Sequence, residues 1–556
     1  GSVRLGTYLT TKVGKLTTTV NYNYMNQSRK QTENNREEVY NYVKTGEQKH
    51  EYGTNSTAAT IHFGNISASY EIDSLNLLTA STTFLGYKAD ANAQSTNERW
   101  DKNSQLIYKF DNNMTTPGYS HLNIGGRLDY QHKTHLDGEI LTLSYMLAAT
   151  RQHSIFRQMY NNMVNFPVNY TSYDQNTRER FTEHTFQIDY VRPFGKYHKI
   201  ESGTKYILRY NNSTSLMDYQ GTTPDMESKF KHNAQVAAAY LSYIFTAGKW
   251  AARAGLRYEF TRMKASYPDG SNTDYHANLN DWVPSASLQY KISDSQTLKF
   301  SYNTSINRPG IGYLNPAIIS TPTAVSFGNA NLGSSRNQKL QLVYMLVTSK
   351  FTLQLSPYYS FTNNGIGRIL YEQNRKDVST YQNVLKSKDF GISSYTEWTP
   401  FTGTSFTLNA SMRYARITLP TPYLKNSGCG GGIYFNWEQK IPWELTLTTS
   451  IGGEYGNRIY DPYAIEGHWF YYNFTLTRLF FKDKLTVSLS ANSPFIKERS
   501  STYRIVRGDY TVYERSVRYP QRFGIGLSWN FGKLRASVKK AERSIQNDDL
   551  VGGGKK

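Results

Sequence analysis

Apolar and polar residues alternate along nearly the whole chain. In one run Leu298, Phe300, Tyr302 and Ile306 fall on one parity, and Lys299, Ser301, Asn303 and Ser305 on the other. In another, Phe351, Leu353, Leu355, Tyr359 and Phe361 oppose Thr352, Gln354, Ser356, Ser360 and Thr362. Successive side chains of a strand point to opposite faces, so a period of two gives one apolar and one polar face. Such runs recur about twenty times and are commonly ten or more residues long, whereas strands of water-soluble sheets average about 5–6. A strand crossing a bilayer at a tilt needs roughly 9–11 residues, with its apolar side chains to lipid and its polar ones to the lumen.

The connections alternate as strictly as the residues. Short turns occur at Val13-Gly14, Asp73-Ser74, Leu136-Asp137-Gly138, Gly195-Lys196, Ala247-Gly248, Ser293-Asp294-Ser295, Thr348-Ser349, Phe401-Thr402-Gly403, Ile441-Pro442 and Lys482-Asp483. Gly, Asp, Ser and Pro are ordinary hairpin residues. Between these turns lie long polar connections, among them 31–54, 93–117, 157–179, 267–280, 309–335 and 500–516. Short periplasmic turns and long extracellular loops are the habit of outer-membrane barrels. The expected fold is therefore an all-β, antiparallel transmembrane barrel over residues 1–533, with about 21 strands in this chain of a barrel of about 22. The first strand, 2–12, runs downward into Val13-Gly14, and the last, 517–532, also ends in the periplasm. One upward strand is thus expected from upstream. Residues 534–556 are expected to form a disordered periplasmic tail, with a short helix over 534–546.

Composition narrows the class. The 556 residues include 46 Tyr and 26 Phe but only 38% hydrophobic residues. Mean hydropathy is −0.62. No run approaches the ~18 apolar residues of a membrane helix, while a barrel stays polar on average because half of each strand meets water. Tyr suits the two membrane interfaces. A single Cys429 excludes an internal disulfide and a multi-cysteine metal site. The net charge is +20, from 63 Lys and Arg against 43 Asp and Glu. These charges are spread over turns, loops and one strand face, not gathered in a stripe, which argues against nucleic acid and for a solvated lumen beside outer-membrane lipid and lipopolysaccharide.

Residues 281–346 carry the most specific sequence. Asp281-Trp282-Val283-Pro284 precedes the Ser293-Asp294-Ser295 turn, and Phe300-Ser301-Tyr302, Arg308-Pro309, Leu314-Asn315-Pro316 and Gly328-Asn329-Ala330-Asn331-Leu332 follow. This stretch resembles the barrel domain of TonB-dependent receptors, in the outer-membrane β-barrel family with an "RP … LNP … GNP-NL" sequence ahead of a mid-barrel strand. Ala330 stands where the family has Pro, and Gly333-Ser334-Ser335 where it has "KPE". The resemblance implies import of a nutrient bound at the extracellular loops and a plug domain upstream. It also implies TonB and an outer-membrane lipoprotein or complex subunits as partners. A structural or assembly subunit without transport, and a diffusion porin, are the alternative readings.

Candidate residues follow from parity and position. Arg127, Asp129, Asp189, Lys205, Arg209, Arg253, Arg257, Glu259, Lys291 and Lys299 lie on the polar parity, where charge is tolerated only toward water or protein. Both signs occur, which suits the surface of a plug or a polar solute. Arg157, Tyr160, Tyr170, Tyr173, Tyr460 and Tyr463 are the expected substrate-binding loop residues, since aromatic and Arg side chains are favoured anchors. Arg308, Pro309, Asn315, Pro316 and Asn329 are expected to shape a rigid loop, with Arg308 bonding backbone carbonyls. No HExxH or GxSxG is present, so neither an enzyme, a cofactor nor a metal is expected. His132, His135 and Glu139 read as turn polarity. Gly428-Cys429-Gly430-Gly431-Gly432 lacks a following GK[ST] and reads as a place of strand bending or close approach.

Overall fold

The structure is a computed structural model. It describes residues 1–556 apart from 272–273, 317, 421–422, 460–461, 507–508, 533–536, 543–544, 546, 548 and 552–556. The described residues form one sheet of 29 strand segments. Eight of these are not part of the barrel wall: Asn34–Tyr42, Ile319–Ser320, Ala324–Ser326, Arg458–Ile459, Ala464–Glu466, Arg499–Val506, Tyr510–Arg518 and Leu550–Val551. The other 21 follow one another round the wall in chain order, from Ser2–Val13 to Arg522–Trp529, every neighbouring pair antiparallel. They coincide one for one with the strands that the alternating pattern predicts.

Alternation decides which way each side chain points. Leu288, Phe300 and Leu342 stand opposite one another on three adjacent strands and lie on the outer face, where Phe300 is 45% exposed in the absence of lipid. Thr142, Ser144, Thr185, Asp189 and Thr261 are buried on the inner face. The periplasmic turns are tight. Gly14, Gly138, Gly195, Gly248 and Gly403 take positive φ of 58, 80, 66, 55 and 87°, which hairpin turns require and glycine adopts without steric cost. In the turn at Asp73 the carboxylate accepts from the Asn76 side chain and the amides of Leu75 and Asn76. Those bonds hold its pKa below the usual carboxylate value.

Four of the expected loops, 31–54, 93–117, 157–179 and 500–516, are largely strand. Six consecutive wall strands run from Gln48–Glu71 to His198–Gly221 and have 24 to 28 residues each. At ~3.3 Å per residue such a strand is about 80 Å long, far more than a ~30 Å hydrocarbon layer needs even when tilted. The outer halves therefore stand above the membrane. Their sequences lose the apolar parity, because no lipid faces them, but keep enough Thr, Tyr and Val to hold the ladder. The regions 31–54, 93–117 and 157–179 thus contain Asn34–Tyr42 and the strand ends at Trp100, Leu106, Val164 and Tyr170.

Among the described residues, Ser2–Val13 pairs only with Leu16–Gln27 and Arg522–Trp529 only with Leu485–Asn492. The two edges do not pair with each other. Above them the sheet is continuous: Tyr510–Arg518 pairs with both Arg499–Val506 and Asn34–Tyr42, and the latter with Gln48–Glu71. Arg522 Nη2 also donates across the gap to the Gln31 carbonyl at 2.8 Å.

The C-terminal segment departs most from expectation. Its described residues form no helix and lie against the inner face of the wall, while 534–536, 543–544 and 546 of the expected helix lie outside the described residues. Lys539 meets Ser69 and Glu71, Glu542 meets Gln131 and Lys133, and Leu550–Val551 pairs in parallel with Arg308–Pro309. The lumen is lined with bond-forming side chains, so a polar segment meets partners there that bulk water would otherwise supply.

Candidate functional site

The lumen wall is built by consecutive strands whose inner parity carries charge. Glu183 and Arg209 are direct cross-strand partners, as are Lys205 and Ala238, Ala238 and Glu259, and Glu259 and Asp281. Arg209 donates from Nε to Glu183 at 2.6 Å. Arg257 pairs with Glu259 at 2.5 Å. Arg253 pairs with Glu201 at 2.7 Å. Asp189 accepts from Gln187 at 2.7 Å and from the Tyr240 hydroxyl. Asp129 accepts from Ser144 at 2.6 Å. Arg127 lines a cavity with Asp129, Thr79 and Lys539. Lys299 lies on the same parity, between Gln289 and Val343. The cations and carboxylates are thus interleaved, and buried ones find a partner within hydrogen-bond reach, as a low-dielectric wall demands.

Arg308 bonds carboxylates instead of the backbone carbonyls expected from its place at a loop base. Its guanidinium reaches Glu259, the Thr261 hydroxyl at 3.2 Å and Asp549 at 2.7 Å. Beyond it the loop turns inward. Pro309 is buried, and Ile311, Leu314 and Leu332 form a core with Phe230, Ala265 and Tyr267. The Asn315 carbonyl accepts from Gly328 N at 2.8 Å, and Asn329 Nδ2 donates to the Tyr381 carbonyl at 2.8 Å. A Cβ on Gly328 would come within 2.4 Å of the Asn315 oxygen, so this close approach needs glycine. Pro316 follows Asn315 at a half-buried position.

The expected substrate-binding aromatics do not form an open ligand surface. Tyr160, Tyr170 and Tyr173 are 3%, 6% and 1% exposed and form one core with Tyr108, Phe110 and Met217. Burial pushes all three phenols above the usual tyrosine value. Tyr463 packs against Ile369, Leu370 and Leu419. Arg157 points outward and pairs with Asp174 at 3.0 Å. Tyr460 lies outside the described residues. Aromatic density in these segments thus builds the extracellular walls of the barrel.

A charged lattice, not foreshadowed by any motif, joins opposite walls at the mouth. Arg99 and Lys49 come from strands on one side, Glu372 and Asp377 from strands on the other. Arg99 pairs with Glu47 and Glu372, both at 2.6 Å, and donates to the Arg375 carbonyl at 3.2 Å. Lys49 pairs with Asp377 at 3.0 Å. Arg99 lies over the Tyr42 ring at 4.0 Å and Lys49 over Tyr40 at 3.6 Å, a cation–π arrangement strengthened by burial. Burial works against both charges, yet their partners outweigh it and both pKa values rise. Lone charges in polar segments carry no signal that they will meet across a barrel. Glu183 was legible, since it shares the parity of Asp189.

His132 faces Asn76 at 2.8 Å, and Glu139 accepts from Thr134 and Tyr190. Gly428, Gly430, Gly431 and Gly432 line a cavity with Tyr358, Arg413 and Glu454.

The barrel resembles solved structures of two uptake receptors and a copper transporter. The ferric yersiniabactin uptake receptor FyuA from Yersinia pestis aligns with a TM-score of 0.52 at 12% identity, over 92% of this chain and 85% of that one. The copper transporter OprC aligns at 0.52 and 8% identity, over 90% and 85%. The ferric-catecholate import receptor Fiu from K12 E. coli aligns at 0.51 and 8%, over 88% and 82%. At such identities the likeness is one of fold. No curated protein matches. The model of the outer membrane protein beta-barrel family matches residues 132–529, and the chain belongs to that family.

Proposed function

We propose that this barrel belongs to a TonB-dependent-receptor-like importer, which takes up a nutrient captured on the outer side through a lumen filled by a plug domain. The observation that carries this reading is a lumen wall of interleaved positive and negative groups beneath a mouth locked by ion pairs. A diffusion porin needs a continuous water path, and a lattice joining opposite walls works against one. Two-signed, hydrogen-bonding walls suit a folded plug surface. The fold neighbours named as import receptors support the same class. Among the described residues the edges at Ser2–Val13 and Arg522–Trp529 have no second strand partner, and one strand from a plug-bearing segment would satisfy both. Lipopolysaccharide, TonB and an outer-membrane lipoprotein or complex subunit are the partners this reading implies.

The test is growth of a deletion strain under limitation for one nutrient at a time, with and without TonB function. The expected result is one matching defect in both strains. Unchanged growth with loss of co-purifying outer-membrane subunits would replace import with an assembly role. Steady ohmic conductance of the full-length protein in planar bilayers would point to a porin.

A further inference from the structure

We propose that Arg209 and Arg308 form a carboxylate-binding site in the lumen wall, and that the chain's own C-terminal segment occupies it as a strap laid through the lumen. The segment is held at several separate points along its path. Near the periplasmic rim Lys539 N donates to Ser69 Oγ at 3.1 Å and its ammonium meets Glu71 at 2.5 Å. Glu542 N donates to Gln131 at 2.7 Å, and its carboxylate pairs with Lys133 at 2.9 Å. Higher up, Ile545 is fully buried. Asn547 accepts from Lys205 at 3.0 Å and donates to Glu183 at 2.9 Å and Thr185 at 2.8 Å.

Asp549 is the centre of the arrangement. Arg209 grips it with both terminal nitrogens, at 2.8 and 2.7 Å, and Arg308 adds a third bond at 2.7 Å. The backbone joins in: Arg308 N donates to the Asp549 carbonyl at 2.5 Å, and Leu550–Val551 then pairs in parallel with Arg308–Pro309. A two-pronged grip by a planar guanidinium recognises the shape of a carboxylate as well as its charge. Charge balance agrees. The wall brings Arg209, Arg257 and Arg308 together with Glu183 and Glu259, and Asp549 supplies a third carboxylate to three guanidiniums. Reach is no obstacle, since the 18 residues from Phe531 to Asp549 can span about 60 Å when extended.

Each arginine also holds a wall carboxylate, so the site persists when the strap leaves: Arg209 keeps Glu183 and Arg308 keeps Glu259. The strap is therefore a replaceable ligand of a preformed site. Any plug or solute carboxylate that reaches this level of the lumen must displace Asp549. The inference concerns the segment's place in the lumen and stands whether or not the protein imports a nutrient.

The experiment uses the full-length protein in isolated outer membranes, with Cys429→Ser as background. Thr185→Cys and Asn547→Cys are combined and oxidised with copper–phenanthroline. An intramolecular disulfide, located by peptide mapping, is expected. Adding Asp549→Ala should lower its yield about tenfold or more, because the charge-assisted bonds are lost. The barrel should still show its normal heat-modifiable migration. No disulfide, with Asn547→Cys freely labelled by a maleimide admitted to the periplasm, would overturn the strap. A disulfide whose yield ignores Asp549→Ala would overturn the carboxylate site.

Discussion

Removing Arg99 should open the mouth of the barrel without unfolding it. The guanidinium is 1% exposed and ties Glu47, from its own side, to Glu372 and the Arg375 carbonyl from the opposite wall. Arg99→Ala leaves Glu47 with Arg375 at 3.2 Å and takes from Glu372 its pair to the other side. Breaking a buried pair by deleting one partner costs about 3–5 kcal/mol. Glu372 keeps some solvent contact, at 17% exposure, so the lower end applies. At ~1.4 kcal/mol per factor of ten, about 3 kcal/mol shifts the ratio of closed to open mouths roughly a hundredfold. The cost falls on closure, because the wall below is held by ladders that Arg99 does not touch. Spin labels at Val43→Cys and Asn374→Cys, both exposed at the rim, would report it in a Cys429→Ser background. The distance distribution should lengthen and broaden in Arg99→Ala. Asp377→Asn, which breaks the neighbouring pair to Lys49, should act in the same direction. An unchanged distribution with normal heat-modifiable migration would show that the lattice does not hold the mouth shut.

Two further outcomes test direction and register. On intact cells an impermeant maleimide should label Asn162→Cys, exposed at the top of Ile140–Val164, and spare Lys196→Cys in the turn after Phe194; equal labelling of both would invalidate the assigned orientation. Leu355 shares an outward row with Tyr344, Ser394, Ala410 and Ile433, whereas Gln354 bonds Ser356 on the inner face. Leu355→Arg should therefore destabilise folding into bilayers by about 2–4 kcal/mol and Gln354→Arg by far less, as read by urea titration in vesicles, and the reverse order would mean a register slip.

What the sequence disclosed and what it hid divide along one physical line. Inside the membrane, lipid on one face and water on the other impose a strict period of two, so all 21 wall strands and the charged inner parity were legible. Asp189, Arg209, Arg257 and Glu259 stand where that parity puts them. Above the membrane both faces meet water or protein, the period fades, and strands such as Tyr170–Phe194 outrun their apolar portion. Tyr160 and Tyr173 looked like ligand anchors because an aromatic residue in a polar stretch suits a binding surface and a loop core equally well. Partners far apart in sequence left no trace: Lys49 and Asp377 are separated by 328 residues, Arg209 and Asp549 by 340. Only folding brings them within bonding distance.

The seam between Ser2–Val13 and Arg522–Trp529 sets a last expectation. Its upper part is bridged, by Tyr510–Arg518 on Asn34–Tyr42 and by Arg522 on Gln31. Its lower part, level with the apolar belt of Phe523, Ile525 and Leu527, has no second partner among the described residues. Energetics would favour the opposite order. An open edge in water bonds solvent, while an open edge in hydrocarbon forfeits several kcal/mol for each stranded N–H or C=O. Both edge strands run downward, so pairing them directly would give the only parallel contact in an antiparallel wall. One upward strand between them restores the alternation and satisfies both edges. In the full-length protein in bilayers, the amides of Ser2–Val13 that point away from Leu16–Gln27 should then exchange as slowly as those in the mid-wall strand Phe351–Gln373. Rapid exchange there, with protection intact in Phe351–Gln373, would mean that the seam stays open and that no further strand completes the barrel.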